Sequence, residues 1–197
     1  MILLSNSIVK QSNYKCIDYY SDDEGRRLIV NISIGKETIC FINMYCPTDD
    51  NMRKPFLLDS ISAINDHSKS DINRIIGGDF NCCDSIKGKA SGKLSLQSNM
   101  LTLFKDRLNL IDTWREEHPR DIEYTFIDPS YRGCNSRIDY ILVTKHMLTC
   151  VERSEITTAP SPDHKAVTIE LNMYNKQRGK CFWKLNGNII DDQLYQE

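Results

Sequence analysis

The stretch RIIGGDFNCCDS, residues 74–85, decides how the rest of the chain is read. A short apolar run, Ile75 and Ile76, meets two glycines, and Asp79, Phe80 and Asn81 follow at once. An apolar run of this length ended by glycine reads as a buried strand. Glycine at a strand end lets the backbone approach a ligand closely. Asp79 can take a proton or hold a metal when ionised, and Asn81 offers both a donor and an acceptor. In an extended chain, period two sets both side chains on one side. The same residues also fit an Asx-turn, in which Asp and Asn cap their own backbone.

Upstream, MILLS (1–5) reads as the end of a buried strand and KCIDYYS (15–21) as a second. RRLIVNISIG (26–35) and ETICFINMYC (37–46) are rich in Ile, Val and Phe at near period two, with a hairpin turn at Gly35-Lys36. Phe56, Leu57, Ile61 and Ile64 then recur at helical spacing, behind Asp49 or Asp50 as N-cap. Downstream, Leu96, Met100, Leu101, Phe104 and Leu108 form the stripe of a second helix. DTWREEHP (112–119) leads to four strand-like runs, EYTFIDPS (123–130), RIDYILVTKH (137–146), VERSEITTA (151–159) and AVTIELNM (166–173). The pattern fades after Met173, so 1–173 reads as the domain and 174–197 as a tail or linker. Strands interrupted by two helices predict an α/β layered sandwich with mixed sheets.

Composition narrows the function classes. A length of 197 residues suits one domain with a tail, and 40% hydrophobic with 26% charged residues excludes wholesale disorder. The net charge of −2 argues against passive coating of nucleic acid, yet leaves room for an enzyme that grips a few phosphates. Eight cysteines include no C-x-x-C pair, which argues against a zinc ribbon and for reduced, mostly buried thiols in a cytosolic or nuclear protein. MILLSNSIVKQ (1–11) is too short in its apolar part for a signal-peptide core or a membrane span, so the protein is expected not to be secreted.

Three further sites lie at strand ends. Asp163 and His164 in SPDHKAVTIEL (161–171) precede a strand, where a carboxylate suits a divalent ion and a histidine suits a phosphoryl oxygen. Such a pair is also commonly just solvated. Asp139 sits in an apolar strand, three residues after Ser136. A carboxylate there needs a partner, for which His164 is the candidate, or else faces solvent at an edge. Tyr45 ends a strand before Pro47, able to donate to a phosphate or simply to pack.

The ordered set FINMYCP (41–47), IIGGDFN (75–81), LIDTWREEHP (110–119), EYTF (123–126), SRIDYILV (136–143), SPDHKAVTIEL (161–171) and WKLN (183–186) resembles the endonuclease/exonuclease/phosphatase superfamily. It is most similar to the endonuclease domain of non-long-terminal-repeat retrotransposons, the long interspersed elements. The resemblance implies a deoxyribonuclease-like, four-layered α/β sandwich of two mixed sheets with flanking helices and a site at one rim. It implies a DNA endonuclease dependent on Mg2+ or Mn2+ that hydrolyses a phosphodiester by in-line attack of water. Asp79 matches the residue that orients or deprotonates the water, and Asn81 the one that positions it and contacts the phosphate. Tyr45 matches the phosphate-binding tyrosine. His164 matches the histidine that stabilises the pentacovalent phosphorus, and Asp139 the aspartate that orients it. Asp163 matches a metal ligand, while Thr125 and Ser136 match positions beside the bound strand. DNA is the implied partner, with a reverse transcriptase domain downstream in the full element.

The chain departs from the pattern at its start. The family opens with a strand ending in a catalytic Asn and a later strand carrying a metal-ligand Glu, often within Gln-Glu-Thr-His, and neither motif occurs here. MILLSNSIV matches the strand after that glutamate, so the domain is expected to lack its first strands. Glu24 and Glu37 stand in turn-like contexts and read as solvated. Two other readings therefore stand beside the nuclease: a catalytically inactive remnant of a retrotransposon, and another phosphoesterase on the same fold.

Overall fold

β-branched and aromatic residues recur through residues 14–45, and they build a meander of three antiparallel strands. These are β1 (Tyr14–Ser21), β2 (Arg27–Ile34) and β3 (Glu37–Tyr45), with Gly35 in the left-handed region (φ 62°) at the β2–β3 hairpin. The computed structural model describes residues 2, 14–68, 72–91, 98–130, 133–159 and 161–172. The strand expected at 1–5, Leu96, Cys181, WKLN and the tail at 174–197 lie wholly or mostly outside the described residues.

β4 (Asn73–Asp79) runs parallel to β3, and a parallel pair needs a crossover. Helix α1 (Asp50–His67) supplies it. Asp49 is its N-cap, accepting from the Asn51 N–H at 2.7 Å. Its buried positions Arg53, Leu57, Ser60 and Ile64 fall on one face at 3.6-residue spacing. Then come α2 (Ser98–Leu108), β5 (Leu110–Asp112), α3 (Thr113–Glu117), β6 (Asp139–Thr144), a 3-10 turn (Lys145–Cys150), β7 (Val151–Thr157) and β8 (Ala166–Leu171). The main sheet has the order β1-β2-β3-β4-β6-β5 and is mixed, with β3–β4 as its parallel pair. β7 and β8 form a second, antiparallel sheet among the described residues.

Strand alternation divides the core. Ile29, Cys40, Ile42, Met44, Ile76 and Leu142 pack against Leu57 and Ile64 of α1 and Leu101, Phe104 and Leu108 of α2. Ile39, Ile75 and Val143 point the other way, with Met147 from the 3-10 turn and Ile169 and Leu171 of β8 packed on them. Helices, a mixed sheet and a second sheet thus stack as the expected α/β sandwich. Five cysteines, Cys40, Cys46, Cys82, Cys83 and Cys150, are buried free thiols, whereas Cys16 and Cys134 are exposed. Burial pushes the thiols of Cys40 and Cys82 up to about 12.

Two local readings change. EYTFIDPS is not a continuous strand: Phe126 makes isolated bridges to Ser136 and His164. The Asp128 carboxylate turns the chain by accepting from the Ser130 N–H at 2.9 Å. The short β5–α3 unit has no periodic signature in sequence, because three and five residues are too few to show one. Asp112 caps α3 by accepting from the Arg115 N–H at 3.2 Å.

Candidate active site

Strand register assembles the site. In the parallel β3–β4 pair Tyr45 lies opposite Asp79, and in the antiparallel β4–β6 pair Asp79 lies opposite Asp139. Three strand ends therefore set Tyr45, Asp79 and Asp139 in one cross-strand row on one face of the sheet. Alternation makes it the face that carries Ile39, Ile75 and Val143, toward the second sheet. The loop before β8 adds His164, whose Nδ1 is 3.0 Å from Asp139 Oδ2. With Nδ1 bonded to the carboxylate, Nε2 is the ring nitrogen left for a ligand. Phe126 holds the imidazole from the side, edge to face, with ring centroids 5.3 Å apart.

Gly78 makes the row possible. Its φ is 147°, and a Cβ there would stand 1.9 Å from the carbonyl oxygen of Met44. Only glycine lets β4 approach β3 this closely just before Asp79. Past Asp79 the chain turns sharply, with Asn81 at φ 50°. The Asn81 N–H donates to Asp79 Oδ1 at 2.8 Å, so the Asx-turn forms. Turn and site are one arrangement: the carboxylate that faces the rim also caps the turn that presents Asn81. The Asn81 amide Nδ2 donates to the Cys46 carbonyl at 2.7 Å, and the Cys46 N–H to the Asp79 carbonyl at 2.8 Å, tying together the loops after β3 and β4.

Burial pushes the Asp79 carboxyl up to about 6; the Asn81 N–H opposes this, and the neighbouring Asp139 charge adds to it. Such a carboxyl exchanges its proton near neutral pH. Tyr45 is 48% exposed, open to a ligand, with the Arg26 guanidinium 5.5 Å from its ring centroid.

The other expected site residues take different places. Thr125 is 0% exposed, and its hydroxyl accepts from the N–H groups of Ile138 and Asp139, both at 3.0 Å. Ser136 is buried in bridges to Lys89 and Phe126. Both lie under the rim and shape the entry to β6. Asp163 is half-buried, accepts from the Ser161 hydroxyl at 2.8 Å, and stands outside the tightest cluster. Among the described residues, the group with metal-ligand spacing is Asp79, Asp139 and His164, whose ligand atoms lie within 4.8 Å of one another. Carboxylate oxygens with an imidazole suit a hard divalent cation, and a cation there would offset the burial of the Asp79 charge.

Sequence reasoning missed the supports. Arg53, buried on α1, donates through Nε to the Pro47 carbonyl at 2.9 Å and through its other nitrogens to the Thr48 carbonyl and Asp50. It pins the turn that follows Tyr45. Beneath the loop after Asn81, Arg137 pairs with Asp112 at 2.7 Å and with Asp84 at 3.6 Å, and Asp84 pairs with Lys105 at 2.7 Å. An arginine in the apolar stripe of α1 was the available signal for the first. Nothing local marks the second, whose members are spread over 54 positions from Asp84 to Arg137.

Comparison with known proteins identifies the family and the fold. A profile of the Endonuclease/Exonuclease/phosphatase family matches residues 3–165. The transposon TX1 uncharacterized 149 kDa protein of Xenopus laevis is 28% identical over 171 residues, covering 86% of this chain. The chain spans 13% of that relative's length. An AP endonuclease from Archaeoglobus fulgidus superposes with a TM-score of 0.65 at 19% identity, covering 80% of this chain and 71% of that one. The endonuclease domain of TRAS1, a telomere-specific non-LTR retrotransposon, superposes with a TM-score of 0.62 at 18% identity, covering 78% and 68%. At these identities the two structures speak to the fold, which is that of the deoxyribonuclease-like sandwich. No helix among the described residues is long and apolar enough to cross a membrane.

Proposed function

The chain belongs to the Endonuclease/Exonuclease/phosphatase family, and from that membership we propose that it is a metal-dependent DNA endonuclease of retrotransposon origin. The observation that carries the reading is the row of Tyr45, Asp79 and Asp139 with His164 bonded to its end. A phosphodiester lying along this row meets groups suited to each part of an in-line hydrolysis. Asp79 accepts a proton from water as the water oxygen bonds to phosphorus. Asn81, held by the Cys46 carbonyl, positions that water and touches the phosphate. Tyr45 donates to a non-bridging oxygen. His164, its Nδ1 held by Asp139, donates from Nε2 to the charge that grows on the phosphoryl oxygens as the bond to the leaving oxygen breaks. Thr125 acts from below, its hydroxyl holding the Asp139 N–H, and Ser136 bridges to Phe126, the ring that packs on His164. A divalent cation, Mg2+ or Mn2+, would be held at the rim by Asp139 with Asp163 nearby, leaving Asp79 to take the proton, and would neutralise phosphoryl charge.

In this reading residues 1–173 are the nuclease domain and 174–197 lead toward a reverse transcriptase in a longer element. The protein works in the nucleus or cytoplasm. The test is a time course on supercoiled plasmid with Mg2+ and, in parallel, Mn2+. Open circles should form, and neither EDTA-treated protein nor Asp79→Ala should make them. Nicking that persists in Asp79→Ala would overturn the reading. Phosphate release from a 3′-phosphorylated oligonucleotide without plasmid nicking would assign the site to a phosphatase instead.

A further inference from the structure

A cavity of about 640 Å3 opens at the end of the main sheet opposite the catalytic row. It lies where β3 begins, and the nine residues of β3 separate it from Tyr45, about 25 Å at strand rise. Its walls carry Asp18 of β1, Glu37 of β3 and Asp66 of α1, with Ile17 and Ile72 as apolar sides and Asn31 of β2 among the lining residues. The last turn of α1 also borders it, so the negative end of that helix dipole adds to the three carboxylates. Two basic side chains stand at the walls, His67 among the lining residues and Arg74 bonded to two of them, and both are engaged by the protein. Arg74 donates to the Ser68 hydroxyl at 2.9 Å and to Asn65 Oδ1 at 3.2 Å, and the His67 ring stacks on Tyr20 with centroids 4.1 Å apart.

Asn31 supplies an independent sign of a missing donor. It is 7% exposed, and its Nδ2 donates to Asp18 Oδ1 at 2.6 Å and to the His67 carbonyl at 2.7 Å. Both neighbours are acceptors, which fixes the orientation of the amide. Its Oδ1 is buried and receives no donor among the described residues. A buried carbonyl oxygen without a donor is costly, and a ligand N–H beside it removes the cost.

We propose that this cavity binds an aliphatic polyamine, with ammonium groups at Asn31 Oδ1 and at the carboxylates of Asp18, Glu37 and Asp66, and methylenes against Ile17 and Ile72. A single metal ion fits less well. Among the described residues, Asp79, Asp139 and His164 are the acidic and histidine groups close enough to share one ion, so these three carboxylates stand too far apart for it. Charges spaced along an apolar chain match that spread. The inference is independent of the catalytic reading, since the two sites share no residue.

The test is titration calorimetry of the full 197-residue chain with spermidine in EDTA. The probe should bind with one-to-one stoichiometry. Asp18→Asn with Asp66→Asn, both exposed and isosteric, should weaken it about tenfold, with an unchanged thermal melt. Asn31→Leu removes the orphaned oxygen and should weaken it further. Asp79→Asn, at the opposite end, should bind as the parent does. Absence of binding to the parent chain, undiminished binding in the double variant, or loss of binding in Asp79→Asn would each overturn the proposal. The last outcome would place the amine in the catalytic row.

Discussion

Asp79 stores a conflict between stability and chemistry. Folded, its carboxyl is pushed up to about 6 by burial, against 3.8 in its ordinary state. Between those values the folded protein binds more protons than the unfolded chain, so stability falls as pH rises through this window. Above about 6 the full cost of the buried anion is present. A gap of this size corresponds to about 3 kcal/mol for a sealed group. Asp79 is half-buried, and solvent screening reduces the figure to about 1–2 kcal/mol. In EDTA, Asp79→Asn should therefore be more stable than the parent by about that amount at pH 8, with the gain vanishing near pH 4, as urea denaturation at the two pH values would read. The same variant should not nick DNA, and nicking by the parent in Mg2+ should fall as pH drops, with its midpoint below about 6 because a bound cation offsets the burial of the Asp79 charge. His164 depends on its partner: Asp139→Asn should slow nicking about a hundredfold while leaving the fold intact, a result that circular dichroism and the nicking assay together would separate from unfolding.

At the scale of elements, two contacts hold the rim. Gly78 brings β4 against β3, and any side chain there collides with the Met44 backbone. Gly78→Ala should cost about 3 kcal/mol or more, because neither a backbone carbonyl nor a paired strand can move aside cheaply. Hydrogen exchange of the Tyr45 and Cys46 amides should rise with it. Arg53 ties the start of α1 to the turn after Tyr45 through three acceptors. Lysine has one charged nitrogen and lacks the planar fork, so it cannot reproduce that set. Arg53→Lys should cost about 2 kcal/mol in chemical denaturation. It should also weaken nicking, since the Cys46 carbonyl that holds Asn81 lies in the same turn.

At the scale of the whole molecule, the helix-covered face of the main sheet is well packed, whereas its first edge is open among the described residues. Among the described residues β1 pairs with β2 alone, and Ile17 and the 74%-exposed Tyr19 project from it. An edge strand with exposed apolar residues is a template for pairing with another chain. Replacing Ile17 and Tyr19 with lysine should raise soluble yield and lower light scattering at high concentration. The cost in stability should stay within about 0.5 kcal/mol per site, since neither side chain is buried.

What the sequence determined by itself was local and periodic. Period two marked β2 and β3, an apolar run ended by glycines marked β4, helical spacing marked α1 and α2, and the positions of Asp79, Asn81, Asp139 and His164 at the ends of such runs marked one rim. Even the Asp139–His164 bond was legible as one of two readings, because a carboxylate in an apolar strand needs a partner or else faces solvent at an edge. Tertiary structure decided the rest. Whether Asp79 faces Tyr45 and Asp139 depends on the register of two strand pairs, one of them closed by an 18-residue helix. The Asx-turn and the site proved to be one arrangement because the loops after β3 and β4 share hydrogen bonds across 35 positions. Thr125 went beneath the rim because its hydroxyl satisfies two buried N–H groups at the start of β6, a demand that arises only when the chain has folded back on itself. Periodicity reports which face of an element is buried; register and side-chain closure of backbone groups are set between elements, and no local pattern encodes them.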